Sequence, residues 1–167
     1  MTEKRILALD PGWTIGVALI DYVPYDNKLA RPQLIQAYNV ELQMTEKKDA
    51  FIWEEVSASL SGLIDSFEPD VIVMEDYRIY PKMAMEHIGN RLLVSELIGA
   101  ICQEAAVGLI PVVRLMAGVK GNWPIARLKS RFPEYKQAVA TPPHSRDALL
   151  LGLYYIEKRL GWLPTKQ

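Results

Sequence analysis

The stretch RILALDPGWTIGVALID, residues 5–21, carries the reading of the fold. An apolar run ends on Asp10, the chain turns through Pro11 and Gly12, and a second apolar run leaves from Thr14. Aliphatic runs on both sides of a Pro-Gly turn predict two strands, over 4–10 and 14–21, joined tightly. A buried strand that ends on a carboxylate has two readings. Asp10 satisfies the amides of the turn, or it is held at the rim of a sheet to face a cation or a phosphate.

Working outward, 33–42 reads as a third strand after the connecting segment YVPYDNKLARP, which makes an antiparallel meander of three. The period then changes. Phe51, Ile52, Val56, Leu60, Leu63, Ile64 and Phe67 recur at helical spacing, so 48–67 is predicted as an amphipathic helix that Pro69 stops. DVIVME, residues 70–75, is nearly all apolar, as a strand covered on both faces of a parallel sheet must be. Residues 83–106 return to helical periodicity through Ile88, Leu92, Leu97, Ile98 and Ile101. GLIPVVRL, 108–115, reads as an edge strand because Pro111 cannot serve a central ladder. GVKGNWPIARLKSRFPEY, 118–135, reads as a basic loop with a short helix. The last helix is expected from about Arg146 to Gly161, with Ser145 as its cap. The fold class is α/β: a mixed five-stranded sheet flanked by helices, order β-β-β-α-β-α-β-α, as one domain over 1–167.

Half the residues are hydrophobic, enough for a sizeable core and against disorder. The one cysteine, Cys102, cannot form an internal disulfide, and no long apolar leader or span is evident, so a cytoplasmic protein without a membrane is expected. The formal net charge is −1, but Arg114, Lys120, Arg127, Lys129, Arg131, Lys136 and Arg146 crowd one stretch with Glu134 as its one acid. Such a stretch is a solvated face or a track for phosphates.

Three acids stand out by position. Asp10 ends the first strand, Glu75 ends the all-apolar run, and Asp147 opens the last helix three residues after His144. Residues three apart at a helix start share a face. Carboxylates at adjacent strand ends, with a third group from a facing helix, suit a hard divalent cation, which takes oxygen ligands and keeps several waters. A pair of such ions can activate water and stabilise a leaving oxygen in phosphodiester cleavage.

DPGWTIGVALID, DVIVMED and HSRDALLLG, in this order, resemble the RuvC-type Holliday-junction resolvases of the RNase H-like superfamily, and the likeness spans nearly the whole chain. The resemblance implies that Asp10, Glu75, His144 and Asp147 are the catalytic and metal-binding set. It further implies Mg²⁺ or Mn²⁺, two ions per site, a homodimer, and paired nicks across a four-way DNA junction. In this family the 83–106 helix builds the dimer contact, which here would use Met85, Val94 and Leu97, off the main stripe. Lys120 falls where such enzymes carry DNA-contacting lysines, and Arg127 and Lys129 extend the same basic track.

The chain also departs from the family. The loop after Glu75 is DYRIYPKMAME, without the usual phenylalanine, and GNRLLVSELIGA lacks the usual GQARG. Tyr77 or Tyr80 can stack on a base in its place, with Arg78 and Lys82 beside them, or serve as plain loop residues. These departures suggest a divergent, virus-encoded branch, which would work in a host's cytoplasm. The alternatives are a less specific branched-DNA nuclease, an RNase H-type nuclease, and a non-catalytic nucleic-acid-binding module. DPG-x-x-x-G also occurs in sugar-kinase and actin-like ATPases, but those duplicate the domain and are far longer.

Overall fold

The computed structural model describes residues 3–25, 28–29, 32–77, 88–116, 118–119 and 143–161. Strands β1 (Lys4–Asp10) and β2 (Thr14–Tyr22) form the predicted antiparallel pair, in register from Lys4↔Tyr22 to Asp10↔Gly16. A small ribbon of β3 (Pro24–Tyr25) and β4 (Lys28–Leu29) occupies the connection that the sequence reading treats as plain linker. Strand β5 (Gln33–Glu41) then pairs antiparallel with β2. Helix α1 (Trp53–Phe67) leads to β6 (Val71–Asp76), parallel to β1, and α2 (Ile88–Val107) leads to β7 (Val112–Met116), parallel to β6. Helix α3 (Pro143–Lys158) follows. The sheet order is β5-β2-β1-β6-β7, so the all-apolar β6 is central and β7 is an edge strand.

The sheet separates two apolar layers. Ile6, Ala8, Ala18, Ile20, Val73 and Leu115 face α3, where Leu149, Leu153 and Ile156 meet them. Leu7, Leu9, Val17, Ile72 and Met74 face the other way, onto Val56 and Leu60 of α1 and Leu97 and Ile101 of α2. Strands β1 and β6 are apolar at successive positions because both of their faces are covered. Among the described residues no helix is long and apolar enough to cross a membrane.

Several boundaries differ from the sequence reading. Helix α1 starts at Trp53 rather than near 48, because Phe51 bridges antiparallel to Met44 and the Ile52 N–H donates to the Gln43 carbonyl at 3.0 Å. Its end is made before Pro69: Glu68 turns left-handed, and its N–H donates to the Ile64 carbonyl. Helix α3 starts at Pro143 rather than near Arg146, as a proline can, since amides of a first turn have no partner within the helix. Ser145 therefore lies buried inside that turn instead of preceding it.

The predicted stripe of α2 is also corrected. Leu93, Leu97, Ile98 and Ile101 are its core residues, Leu92 is 48% exposed, and Val94 packs partly buried against the core. Leu97 is thus a core residue rather than a contact residue, and Val94 is only partly open to a contact. Helix α2 is apolar on most sides, so its period does not choose a face. Met85 lies outside the described residues.

Candidate active site

One row of residues crosses the whole sheet at the end where β1 and β6 finish. Asn39 of β5 pairs with Gly16 of β2, and Gly16 pairs with Asp10 of β1. The β1–β6 register runs to Leu9↔Met74, which brings the next residues, Asp10 and Glu75, to adjoining strand ends, and Glu75 pairs with Leu115 of β7. Side chains alternate along a strand. Ala8, Val73 and Leu115 pack toward α3, so Asp10 and Glu75 share that face. Asp76 therefore points to the opposite face, where Arg114 pairs with it.

Helix α3 reaches this row at its first turn. A Cβ on Gly16 would overlap the backbone carbonyl of His144 and lie 2.8 Å from the Ser145 nitrogen, so only glycine lets the turn rest on β2. The Ser145 N–H donates to Asn39 Oδ1 at 3.0 Å. Gly152, two turns further along, sits where a Cβ would come within 2.5 Å of Ile20 Cδ1, so α3 stays close to the sheet along this length.

The seated turn brings His144 to Asp10. His144 Nδ1 lies 3.2 Å from Asp10 Oδ2, and with its proton on Nδ1 the ring donates to the carboxylate. The Asp10 side chain is only 7% exposed, whereas His144 is 46% exposed. A buried carboxylate is costly unless hydrogen-bonded or paired, and the imidazole meets part of that need while keeping its outer side open to solvent. Asp147 is partly exposed, with Arg146 Nε 3.5 Å from its Oδ1.

Of the residues singled out in the sequence, Asp10 and His144 are thus in contact, Glu75 is Asp10's neighbour across the strands, and Asp147 is on the same helical turn region. Tyr77 is half-buried and packs against the α1–α2 side of the core. Arg78, Tyr80, Lys82, Lys120, Arg127 and Lys129 lie outside the described residues. Among the described residues, no three His, Cys, Asp or Glu side chains converge into a ready-made metal shell. The donor chemistry nonetheless fits a hard cation that keeps much of its water: one buried carboxylate, a second at the adjoining strand end, a third on α3 and an imidazole.

Sequence reading missed Asn39. Its one signal is an amide side chain inside a strand, where asparagine is disfavoured.

No family model matches the sequence. No curated protein matches it either. Solved structures do match, and they assign the class: a mixed sheet flanked by helices, the RNase H-like fold. The chain is similar to Thermus thermophilus RuvC in complex with a Holliday-junction substrate, with a TM-score of 0.66 and 18% identity over 95% of this chain and 96% of that one. It is similar to T. thermophilus RuvC alone at a TM-score of 0.64 and 18% identity, covering 94% and 96% of the two chains. The yeast mitochondrial Holliday-junction resolvase Ydc2 matches at 0.56 and 15% identity, over 89% of this chain and 77% of its own.

Proposed function

We propose that this protein is a divergent metal-dependent endonuclease that resolves four-way DNA junctions by paired nicks. The observation that carries the reading is the buried Asp10 at the end of β1, bonded to His144 from a helix turn seated on the same strand-end row that holds Glu75. The similarity to a RuvC bound to a Holliday junction supports the choice of substrate.

In this reading Asp10, Glu75, His144 and Asp147 hold Mg²⁺ or Mn²⁺, two ions, and the metal supplies an activated water and charge stabilisation at the leaving oxygen. The protein's own part is to fix the donors. The strand pairing sets the separation of Asp10 and Glu75, and the seated turn sets His144 against Asp10. The open side of His144 can pass a proton to or from solvent. Lys120, Arg127 and Lys129, with Arg78 and Lys82, are proposed to neutralise DNA phosphates, and Tyr77 or Tyr80 to stack on a base. Two scissile strands related by symmetry need two active sites, so the working form is proposed to be a homodimer. Its contact is the outer side of α2, where Leu92 is exposed.

The test is cleavage of a synthetic four-way junction with Mg²⁺, beside linear duplex and an RNA–DNA hybrid. Asp10→Asn, Glu75→Gln and Asp147→Asn should each cut slower by at least about 100-fold, since changes even one shell further from a metal cost about 10–100-fold. Junction binding should survive in all three, because the basic surface is untouched. Cutting of the linear duplex as readily as the junction would move the reading to a less specific nuclease. Cutting of the hybrid alone would move it to an RNase H-type activity.

A further inference from the structure

We propose that Asn39 is a positioning residue of the candidate active site: from β5 it caps the first turn of α3 and so holds His144 in reach of Asp10. The inference rests on the nuclease reading for its catalytic consequence, but the contact itself does not.

The first amides of a helix have no partner within it, and a side-chain oxygen at the right place supplies one. That oxygen usually comes from the residue just before the helix. Here the capped amide is that of Ser145, a fully buried residue, and Asn39 Oδ1 accepts from it at 3.0 Å across 106 positions of sequence. Asn39, Gly16 and Asp10 are successive members of one row, so the turn is held at three points on three strands. Asn39 caps it, Gly16 leaves room for its backbone, and Asp10 receives His144 Nδ1. An asparagine in a strand interior is poor for the sheet. Its placement is explained by the helix it caps.

The experiment compares Asn39→Leu, which keeps the volume and removes the acceptor, with Asn39→Asp, which keeps an acceptor at the same atom. Hydrogen exchange on the metal-free full chain is followed over 143–149 and over 150–158. In Asn39→Leu, exchange over 143–149 should rise roughly fivefold to tenfold, the factor that loss of an ordinary N-cap gives. The rest of α3 and the sheet should stay protected, and Asn39→Asp should exchange like the natural protein.

At saturating junction, kcat should fall by about 10–100-fold in Asn39→Leu with junction affinity unchanged, and Asn39→Asp should recover it. A merely structural role would raise exchange evenly along α3 and the sheet, and an Asp variant as impaired as the Leu variant would have the same meaning. Either result, or unchanged exchange over 143–149, overturns the inference. If the natural protein cuts no branched DNA, the nuclease reading fails, while the exchange measurement still decides whether Asn39 holds the turn. Should Asn39→Leu not fold, Asn39→Ala takes its place. If neither folds, Asn39 belongs to the sheet and the inference is wrong.

Discussion

The two faces of the sheet are made by alternate residues of the same strands, yet they are built to opposite rules. Nearest the seated turn of α3, β1 and β2 present Ala8, Gly16 and Ala18, with Ile6 and Ile20 further along the same face; toward α1 and α2 they present Leu7, Leu9, Ile15 and Val17, with no small residue among them. The first set lets a helix backbone touch a strand backbone at Gly16. The second fills its side with bulky aliphatic groups. Polar chemistry follows the same division. On the bulky face Asp21 pairs with Arg5 and Asp76 with Arg114, whereas on the small-residue face Asp10 meets the imidazole of His144. Close approach is what the candidate site requires, and small residues supply it.

The sharpest way to break this comparison is Gly16→Ala. The new Cβ would run into the His144 backbone, which cannot swing aside as a side-chain tip can. Overpacking of this kind costs about 1–3 kcal/mol or more, and urea unfolding should show it together with loss of junction cleavage. Gly152→Ala is the control, because its Cβ meets the end of the Ile20 side chain and, at 3.2 Å, the Ala8 Cβ, and none of these nearest atoms is backbone. It should cost less and leave cleavage measurable. Equal effects of the two would mean that the turn is not seated where the contact with Gly16 puts it.

The second prediction concerns the far side of α2. Leu92 is 48% exposed and Val94 packs toward the core, so Leu92→Lys is the substitution that tests a dimer contact without entering the fold. Sedimentation should show a folded monomer that has lost coordinated double nicking. A variant that sediments as the natural protein does would remove this surface from the proposed contact.

Much of this organisation was legible in the sequence, and the losses have physical causes. The five strands and their roles follow from composition: runs apolar at every position belong in the centre, and a proline marks the edge. Asp10 and Glu75 were visible because each closes such a run. Asn39 was not, because its partner is a helix 106 residues away and because β5 carries a bulge. Leu19 pairs with Gln36 and Ile20 with Leu34, so Ile35 is left out of the ladder and 49% exposed. Simple alternation would bury Ile35 with Ala37 and Asn39; the bulge instead puts Leu34 on their face. The start of α1 was hidden by a competing bridge at Phe51, and the orientation of α2 by apolar residues on most of its sides.

A smaller effect, of opposite sign, is expected where nothing approaches the helix. Gly62 lies exposed within α1, and a Cβ added there would meet no atom within 4 Å. Gly62→Ala should stabilise the protein by about 0.5–1 kcal/mol, since alanine loses less chain entropy on entering a helix. Thermal unfolding measures it. A destabilised Gly62→Ala would show that the outer side of α1 is less open than the surroundings of Gly62 indicate.

The smallest effect belongs to the end of the sheet away from the candidate site. Asp70 accepts from Lys4 Nζ at 2.5 Å and from the Arg5 backbone N–H at 2.8 Å, which ties the start of β6 to β1. Burial pushes this carboxyl up, but the Lys4 and Arg5 hydrogen bonds and their charges outweigh it and hold it below its ordinary value. A carboxyl lower in the folded state than in the unfolded one contributes stability above the unfolded value. It loses that contribution as pH falls through the folded value. The pair is partly exposed, so the contribution is under about 1 kcal/mol. Asp70→Asn should therefore be slightly less stable near neutrality, and its deficit should shrink below about pH 4, where the ordinary carboxyl titrates. Junction cleavage at neutral pH should not change, because Asp70 lies at the opposite end of β1 and β6 from Asp10 and Glu75. A deficit that stays constant through the acid range would show that Asp70 titrates alike in both states. A loss of cleavage would show that the two ends of the sheet are coupled, and the site would then depend on more than the small-residue face that seats α3.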